Sequence, residues 1–368
     1  MKRLLTIVIA TALLLGLPML GAWVADLPLD RYLEFPPHSV YLEPAPFSWA
    51  AVVVFALLEI LFYAPVAALV GSIRNRKSQI SKFKPSGFHH SPFPIPHFLC
   101  LAWIATWWII AWTRYDCFAA IQHHTFTPLW LGYIALVNAI TFSRTGRCMI
   151  THERARLAGL FVASAAFWWF FEYLNRFVQN WRYEGVASFA PLEYFIFATL
   201  SFATVLPAVL DTAELLESFV LPTALTRCPV RLPPATRGGA WALLLVACIG
   251  LGGIGVWPDY FFPLLWLAPL LILTALRQMR GDATVFTPAT HGDWHRIATL
   301  MTAALVCGIF WELWNFHSLA KWIYQVPYVY RWNLFEMPLL GFAGYLPFGL
   351  ECAVIADLFG RKAPCGSN

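Results

Sequence analysis

Two short stretches combine residue types that rarely occur together in an apolar chain. FFEYLNRFVQNWRYEGV (170–186) and FWELWNFHSLAKWIYQVP (310–327) each place a carboxylate and an amide among aromatic rings. Glu172 and Asn175 are three residues apart, as are Glu312 and Asn315, so on a helix each pair shares one face. A carboxylate inside a membrane helix costs about 2.5 to 3.5 kcal/mol on insertion scales, and more when fully isolated. Something must offset that cost. Acids at such positions act as proton donors, proton or cation carriers, or hydrogen-bonded pins between helices.

The two stretches are related. Glu172 and Asn175 align with Glu312 and Asn315 at an offset of 140, and Trp181 and Tyr183 align with Trp322 and Tyr324 at 141. LPAVLDTA (206–213) aligns with LPFGLECA (346–353), again at 140, which sets Asp211 against Glu351. Between these blocks Glu193 in APLEYF matches Glu336 in LFEMPL at 143. Rare charged positions recurring at a nearly constant offset point to an internal repeat. A fainter copy at 115–134 carries Asp116, and Trp130 where Glu193 would sit. The implied unit is a helical hairpin: an acid near the outer end of one helix, an aromatic outer loop, then a proline-initiated helix returning inward.

The elements that must position these groups are membrane helices. Of 368 residues, 59% are hydrophobic and 12% charged, against roughly 25% charged in soluble domains. Apolar runs predict ten spans, at 4–25, 47–71, 96–114, 128–143, 157–178, 191–210, 239–257, 260–276, 297–317 and 336–358. The expected fold class is an all-α polytopic membrane protein with tandem hairpin repeats. Its expected organisation is a two-helix region with a basic loop (1–95), a degenerate hairpin (96–156), a hairpin (157–237), a two-helix spacer (238–296), and a hairpin with a tail (297–368).

With the N-terminus inside, only Arg31, Arg114, Arg176, Arg182, Lys321 and Arg331 of the 25 Lys and Arg lie outside. That satisfies the positive-inside rule. It predicts a multi-pass protein of the inner (cytoplasmic) membrane with both termini cytoplasmic. The net charge of +5 then reflects topology and needs no nucleic-acid partner. A retained first helix is favoured over a signal peptide, because Trp23 stands where cleavage after Ala25 needs a small residue. The basic loop 72–95 suits anionic lipid.

In this topology Glu172 and Glu312 lie four to six residues from the outer ends of their helices, roughly 6 to 9 Å deep. Glu193 and Glu336 sit at the mouths of the returning helices. The expected site comprises these four acids, Asn175 and Asn315, and walls of Trp168, Trp181, Tyr183, Trp311, Trp322 and Tyr324. The eight cysteines show no CxxC, and one HxxxH (His291, His295) is too little for a di-iron centre, so neither metal nor cofactor is expected.

An acid in an aromatic helix, then W-x-Y, then a helix opened by Pro-x-Glu, resembles the membrane-type lycopene cyclase family of carotenoid biosynthesis. Here these residues are Glu172, Asn175, Trp181, Tyr183 and Pro191-Leu192-Glu193, matched over about 157–215 and more loosely over 297–355. Where that family tends to carry a second acid, Tyr194 and Met337 stand. The resemblance implies proton-initiated cyclisation of an isoprenoid polyene without redox change, with Glu172 or Glu312 as acid, Glu193 or Glu336 as partner carboxylate, and aromatic faces toward the carbocation. The residues themselves equally suit a proton- or cation-coupled transporter, or a lipid-binding membrane protein without catalysis.

Overall fold

The computed structural model describes residues 2–37, 39–75, 94–219 and 230–359. Most of the basic loop 72–95, and with it the anionic-lipid expectation, lies outside the described residues. Eleven helices matter for the site: α1 (Lys2–Val24), α2 (Trp49–Asn75), α3 (His97–Trp112), α4 (Phe126–Thr145), α5 (Arg154–Val178), α6 (Pro191–Phe202), α7 (Val205–Glu217), α8 (Arg237–Ile254), α9 (Pro258–Met279), α10 (His295–Phe316) and α11 (Tyr345–Phe359). Eight described segments are long and apolar enough to cross a membrane, α6 and α7 together forming one of them. The chain is a multi-pass, mostly helical membrane protein. The remaining two expected spans hold α2 and α3, whose described apolar stretches Trp49–Leu61 and His97–Trp112 are shorter.

Burial follows membrane logic. Leu57, Leu61, Val162 and Leu245 point outward, while Asn138, Glu172, Asn175, Asp211, Glu312, Asn315 and Glu351 are buried inside. Helices surrounded by lipid gain nothing by hiding leucine, and every polar group must instead find a partner within the protein. The centre is built by α5, α7, α10 and α11, with α4 against α7 and α9 against α11.

The aromatic loops expected after α5 and α10 are strands. Helix α5 stops at Gln179, which turns left-handed (φ 47°) while its N–H closes on the Asn175 carbonyl at 2.7 Å. That reversal folds β1 (Trp181–Glu184) back over the helix end. After α10 the chain forms β2 (Lys321–Tyr324), and the two strands pair antiparallel. Trp181 faces Tyr324 and Tyr183 faces Trp322, so the register is symmetric about Arg182 and Ile323. Side chains two apart share a strand face, which puts all four rings on one side of the ribbon. Gly185 has φ +74°, and a Cβ there would lie 2.0 Å from the Leu319 carbonyl oxygen, so only glycine lets the two connections pass.

The returning limbs differ at their mouths. Pro191 occupies the first turn of α6, where its missing N–H costs nothing, and Glu193 accepts the Ala190 N–H at 3.3 Å. The limb then breaks between Phe202 and Val205. Ser164 of α5 mends the break, donating to the Phe202 carbonyl at 2.5 Å and accepting from the Leu206 N–H at 3.0 Å. The second limb was expected to open as a helix at Glu336, and it does not. Residues Asn333–Leu334 (β3) and Met337–Pro338 (β4) make a two-residue hairpin with Phe335 at φ 58°, and Glu336 sits in its turn. A 3-10 helix over Leu339–Gly344 follows, and regular helix begins only at Tyr345. Gly341 and Gly344 are poor helix formers, and Pro338 supplies no N–H, which fits a tight turn here better than a helix start.

Candidate functional site

Two carboxylates hang beneath the ribbon. Glu172, 4% exposed, receives three donors on Oε1: Trp168 Nε1 at 3.2 Å, Trp181 Nε1 at 3.0 Å and the Tyr183 hydroxyl at 2.6 Å. Glu312, 0% exposed, receives two on Oε1, the Tyr324 hydroxyl at 2.8 Å and the Tyr345 hydroxyl at 2.7 Å. Trp322 Nε1 donates in turn to the Tyr324 oxygen at 2.9 Å. Glu312 Oε2 is buried with no hydrogen-bond partner.

The two asparagines fasten the ribbon rather than line a cavity. Asn175 Nδ2 donates to the Trp181 carbonyl at 2.8 Å, and its Oδ1 accepts the Trp181 N–H at 3.4 Å. Asn315 does the same for Trp322, at 2.7 and 2.9 Å. Each helix end therefore grips its own strand through the backbone, and the strand delivers its Trp and Tyr onto the helix's own Glu. Helix spacing sets this up: one turn separates the acid from the amide, so both face the returning strand.

Rings from the opposite half seal each side. Trp266 of α9 packs on Trp181 at 5.3 Å and stacks on Phe171 at 5.1 Å. Phe126 of α4 meets Trp322 edge-on at 5.4 Å, and Trp130 meets Trp311 at 5.0 Å. Trp311 lies nearly parallel to the Tyr345 ring at 5.8 Å. Glu172, Glu312, Trp181 and Trp311 are buried in this layer, and Trp168, Tyr183, Trp322, Tyr324 and Tyr345 are half-buried. Burial, and then the neighbouring acid, pushes the Tyr183 and Tyr324 phenols well above their ordinary value of 10, so both stay protonated donors.

Glu193 and Glu336 make no direct contact with the pair: Glu193 caps α6, and Glu336 is ion-paired with Lys321 at 2.6 Å, close enough for its charge to act on Glu312. A cap needs its oxygen aimed at the helix N-terminus, and a salt bridge needs it aimed at the ammonium. Tyr345, absent from the sequence-level site, is a direct partner of Glu312. Its signal was indirect: Gly308 stands where Trp168 stands 140 residues earlier, and a Cβ at Gly308 would lie 2.4 Å from the Tyr345 ring. Among the described residues no group of three or more His, Cys, Asp or Glu could hold a metal ion.

Chemically, each site is a buried carboxyl group fixed through Oε1, by two indoles and a phenol at Glu172 and by two phenols at Glu312. The Glu172 group is saturated on one oxygen. The Glu312 group is oriented through one oxygen and leaves the other open. Comparison with protein-family models, curated proteins and solved structures found no match to this chain.

Proposed function

We propose that this chain is an integral membrane enzyme that cyclises or isomerises an apolar, isoprenoid-like polyene by acid catalysis, with Glu312 as the acid. The observation that carries this reading is the open Oε2 of Glu312, buried and unpartnered while two phenols hold Oε1. In the reaction the Oε2–H bond breaks as a C–H bond forms at one end of a substrate double bond. The carbocation left at the other end is attracted to the faces of Trp311 and Tyr345. Loss of a proton from a neighbouring carbon to the Glu312 carboxylate restores the acid and closes the cycle without net oxidation. Exclusion of water keeps the cation from being captured as an alcohol.

The proposal includes the wider architecture: ten passes, tandem hairpins of parallel orientation, and an inner-membrane location with both termini cytoplasmic. Helix starts at Val205 and Tyr345, and ribbon-facing rings at Phe126 and Trp266, support the duplication, because each pair is 140 apart. The same spacing matches the start of α3 with that of α8, extending the repeat into the region expected to be a spacer. Basic residues concentrated away from the ribbon support the orientation. With exposed Cys117 removed, a cysteine at Ser188 should react with impermeant reagent from outside, and one at Arg147 only after permeabilisation; the reverse pattern inverts the topology.

The function is tested with purified protein in vesicles loaded with an acyclic isoprenoid polyene in D2O. The expected result is deuterium in recovered product or in rearranged substrate, absent with Glu312→Gln. Deuterium incorporation undiminished in that variant would overturn the role of Glu312.

A further inference from the structure

Deeper in the bundle lies a second pair of acids that the outer layer does not use. Asp211 and Glu351, 140 residues apart, are 1% and 0% exposed. Each lies six residues into its helix from Val205 or Tyr345, roughly 9 Å farther from the ribbon at 1.5 Å per residue. The contrast with the outer pair is chemical. Glu172 and Glu312 are met by indole and phenol donors at 2.6–3.2 Å, whereas the four oxygens of Asp211 and Glu351 make no close hydrogen bond, with only the Asn138 amide near the first acid and the Leu270 backbone near the second.

A bare carboxylate in that setting is costly, and a charge-compensating species must accompany it. The neighbours supply none for Glu351. Its environment is the α9 backbone at Leu270, with Cys352 beside it on α11, and no Lys or Arg among the described residues acts on it. One turn beyond Leu270, the Thr274 hydroxyl is also buried without a partner. Asp211 lies within range of Tyr133 of α4, Cys307 of α10 and the Arg156 charge of α5, while the adjacent Thr212 makes the contacts to Tyr133 and Cys307. The Asn138 amide gives one hydrogen to the Ile134 carbonyl at 2.9 Å, and its other is the nearest donor to Asp211. Cys307 neighbours both Asp211 and Cys352, and so lies between the two branches.

Asp211 has a way out. Glu214 is three residues along the same face of α7, half-buried, and among Glu153, Arg156, Arg147 and Glu217 at the end of the bundle away from the ribbon. There Arg156 pairs with Glu153 at 2.6 Å on the exposed surface. Glu214 thus stands between water and Asp211. Glu351 has no comparable group on its helix: Val354, its counterpart at the third residue on, is buried and apolar.

We propose that Asp211 and Glu351 are two inner protonatable groups, one in each repeat, and that Asp211 exchanges its proton with the far side of the membrane through Glu214. In each transfer a Glu214 O–H bond breaks as an Asp211 O–H bond forms, and the Glu214 carboxylate regains a proton from water. One proton moves and no electrons do. Both groups keep these roles whether or not the outer layer is an enzyme.

The test is infrared absorption of the whole protein in phosphatidylcholine vesicles, moved from H2O to D2O buffer. The protonated-carboxyl region should contain components that shift down on deuteration. One should vanish in Asp211→Asn and another in Glu351→Gln, and Glu214→Gln should slow the Asp211 component selectively. Loss of intensity from the ionised-carboxylate region instead, restored or moved by exchanging sodium for choline, would make the pair a cation site and overturn the proposal. Exchange at the wild-type rate in Glu214→Gln would overturn the route. If a variant is not monodisperse on elution, the wild-type protein alone decides: no exchangeable component in that region sinks the idea.

Discussion

Glu172 and Glu312 occupy equivalent places under one ribbon, yet the donor that each receives from outside the ribbon comes from an opposite direction. At Glu172 the extra donor is Trp168, one turn earlier on the same helix, and the returning helix contributes only Val205 at its start. At Glu312 the earlier turn is emptied to Gly308, and the returning helix fills the space with Tyr345. A large donor has changed sides, and its old position has shrunk to let it in. The shared parts (Asn to strand backbone, strand Tyr to acid) are those that fix the chain path. The exchanged parts decide how many donors Oε1 receives, three at Glu172 and two at Glu312, and at Glu312 the remaining oxygen is buried without a partner. If Glu312 is the proposed acid, the comparison separates a clamp from a reactive group built on the same frame.

The largest effect that tests this separation is on activity. Glu312→Gln keeps an acceptor for both phenols but has no proton to give, so turnover should fall by about 10²- to 10⁴-fold, the usual contribution of a general acid. Glu172→Gln should remain within about tenfold of wild type, since the proposed chemistry takes no proton from that group. Equal losses in the two variants, measured as product formed per mole of monodisperse protein, would erase the distinction.

Next comes the exchanged pair itself. Gly308→Trp forces a ring into the space held by Tyr345 and should cost about 1 to 3 kcal/mol, the range for overpacking. Adding Tyr345→Val recreates the first clamp in the second and should recover most of that loss. Thermal denaturation in detergent of the single and double variants reads the coupling. Additive losses would mean that Trp168 and Tyr345 are not substitutes for one another.

Most of this frame was legible in the chain, and the illegible parts share a cause. The spans and the offset of 140 are written in composition and in rare charged residues, so Glu172, Asn175, Glu312 and Asn315 could be placed together on inward faces. The ribbon could not. Trp181–Glu184 and Lys321–Tyr324 are each four residues long and alternate too briefly to signal a strand, and the paired residues Trp181 and Tyr324 are far apart in the chain. Glu193 and Glu336 read alike in sequence because they match at an offset of 143, each at the opening of a returning span. The order matters physically: Pro191 before Glu193 starts a helix that the acid can cap, whereas Pro338 after Glu336 follows a turn that Lys321 ties down. Tyr345 was hidden because an alignment rewards shared residues, and here the informative change was complementary, Trp168 with Val205 against Gly308 with Tyr345.

The smallest effect concerns the clamps as structure. Glu172→Ala strands three donors, those of Trp168, Trp181 and Tyr183, while Glu312→Ala strands two, those of Tyr324 and Tyr345. Hydrogen bonds in membrane proteins average about 0.6 kcal/mol each, because the unfolded chain in the membrane also finds partners. The expected losses are therefore about 2 kcal/mol for Glu172→Ala and about 1 kcal/mol for Glu312→Ala. The order, more than the size, carries the argument, since relaxation around either cavity adds a similar term to both. Equilibrium unfolding in mixed micelles, with the unfolding slope checked for constancy across variants, gives the two numbers on one scale. A larger loss at Glu312 would mean that its open oxygen has a partner that stabilises the fold, and the group would then be the tighter clamp of the two rather than the free acid.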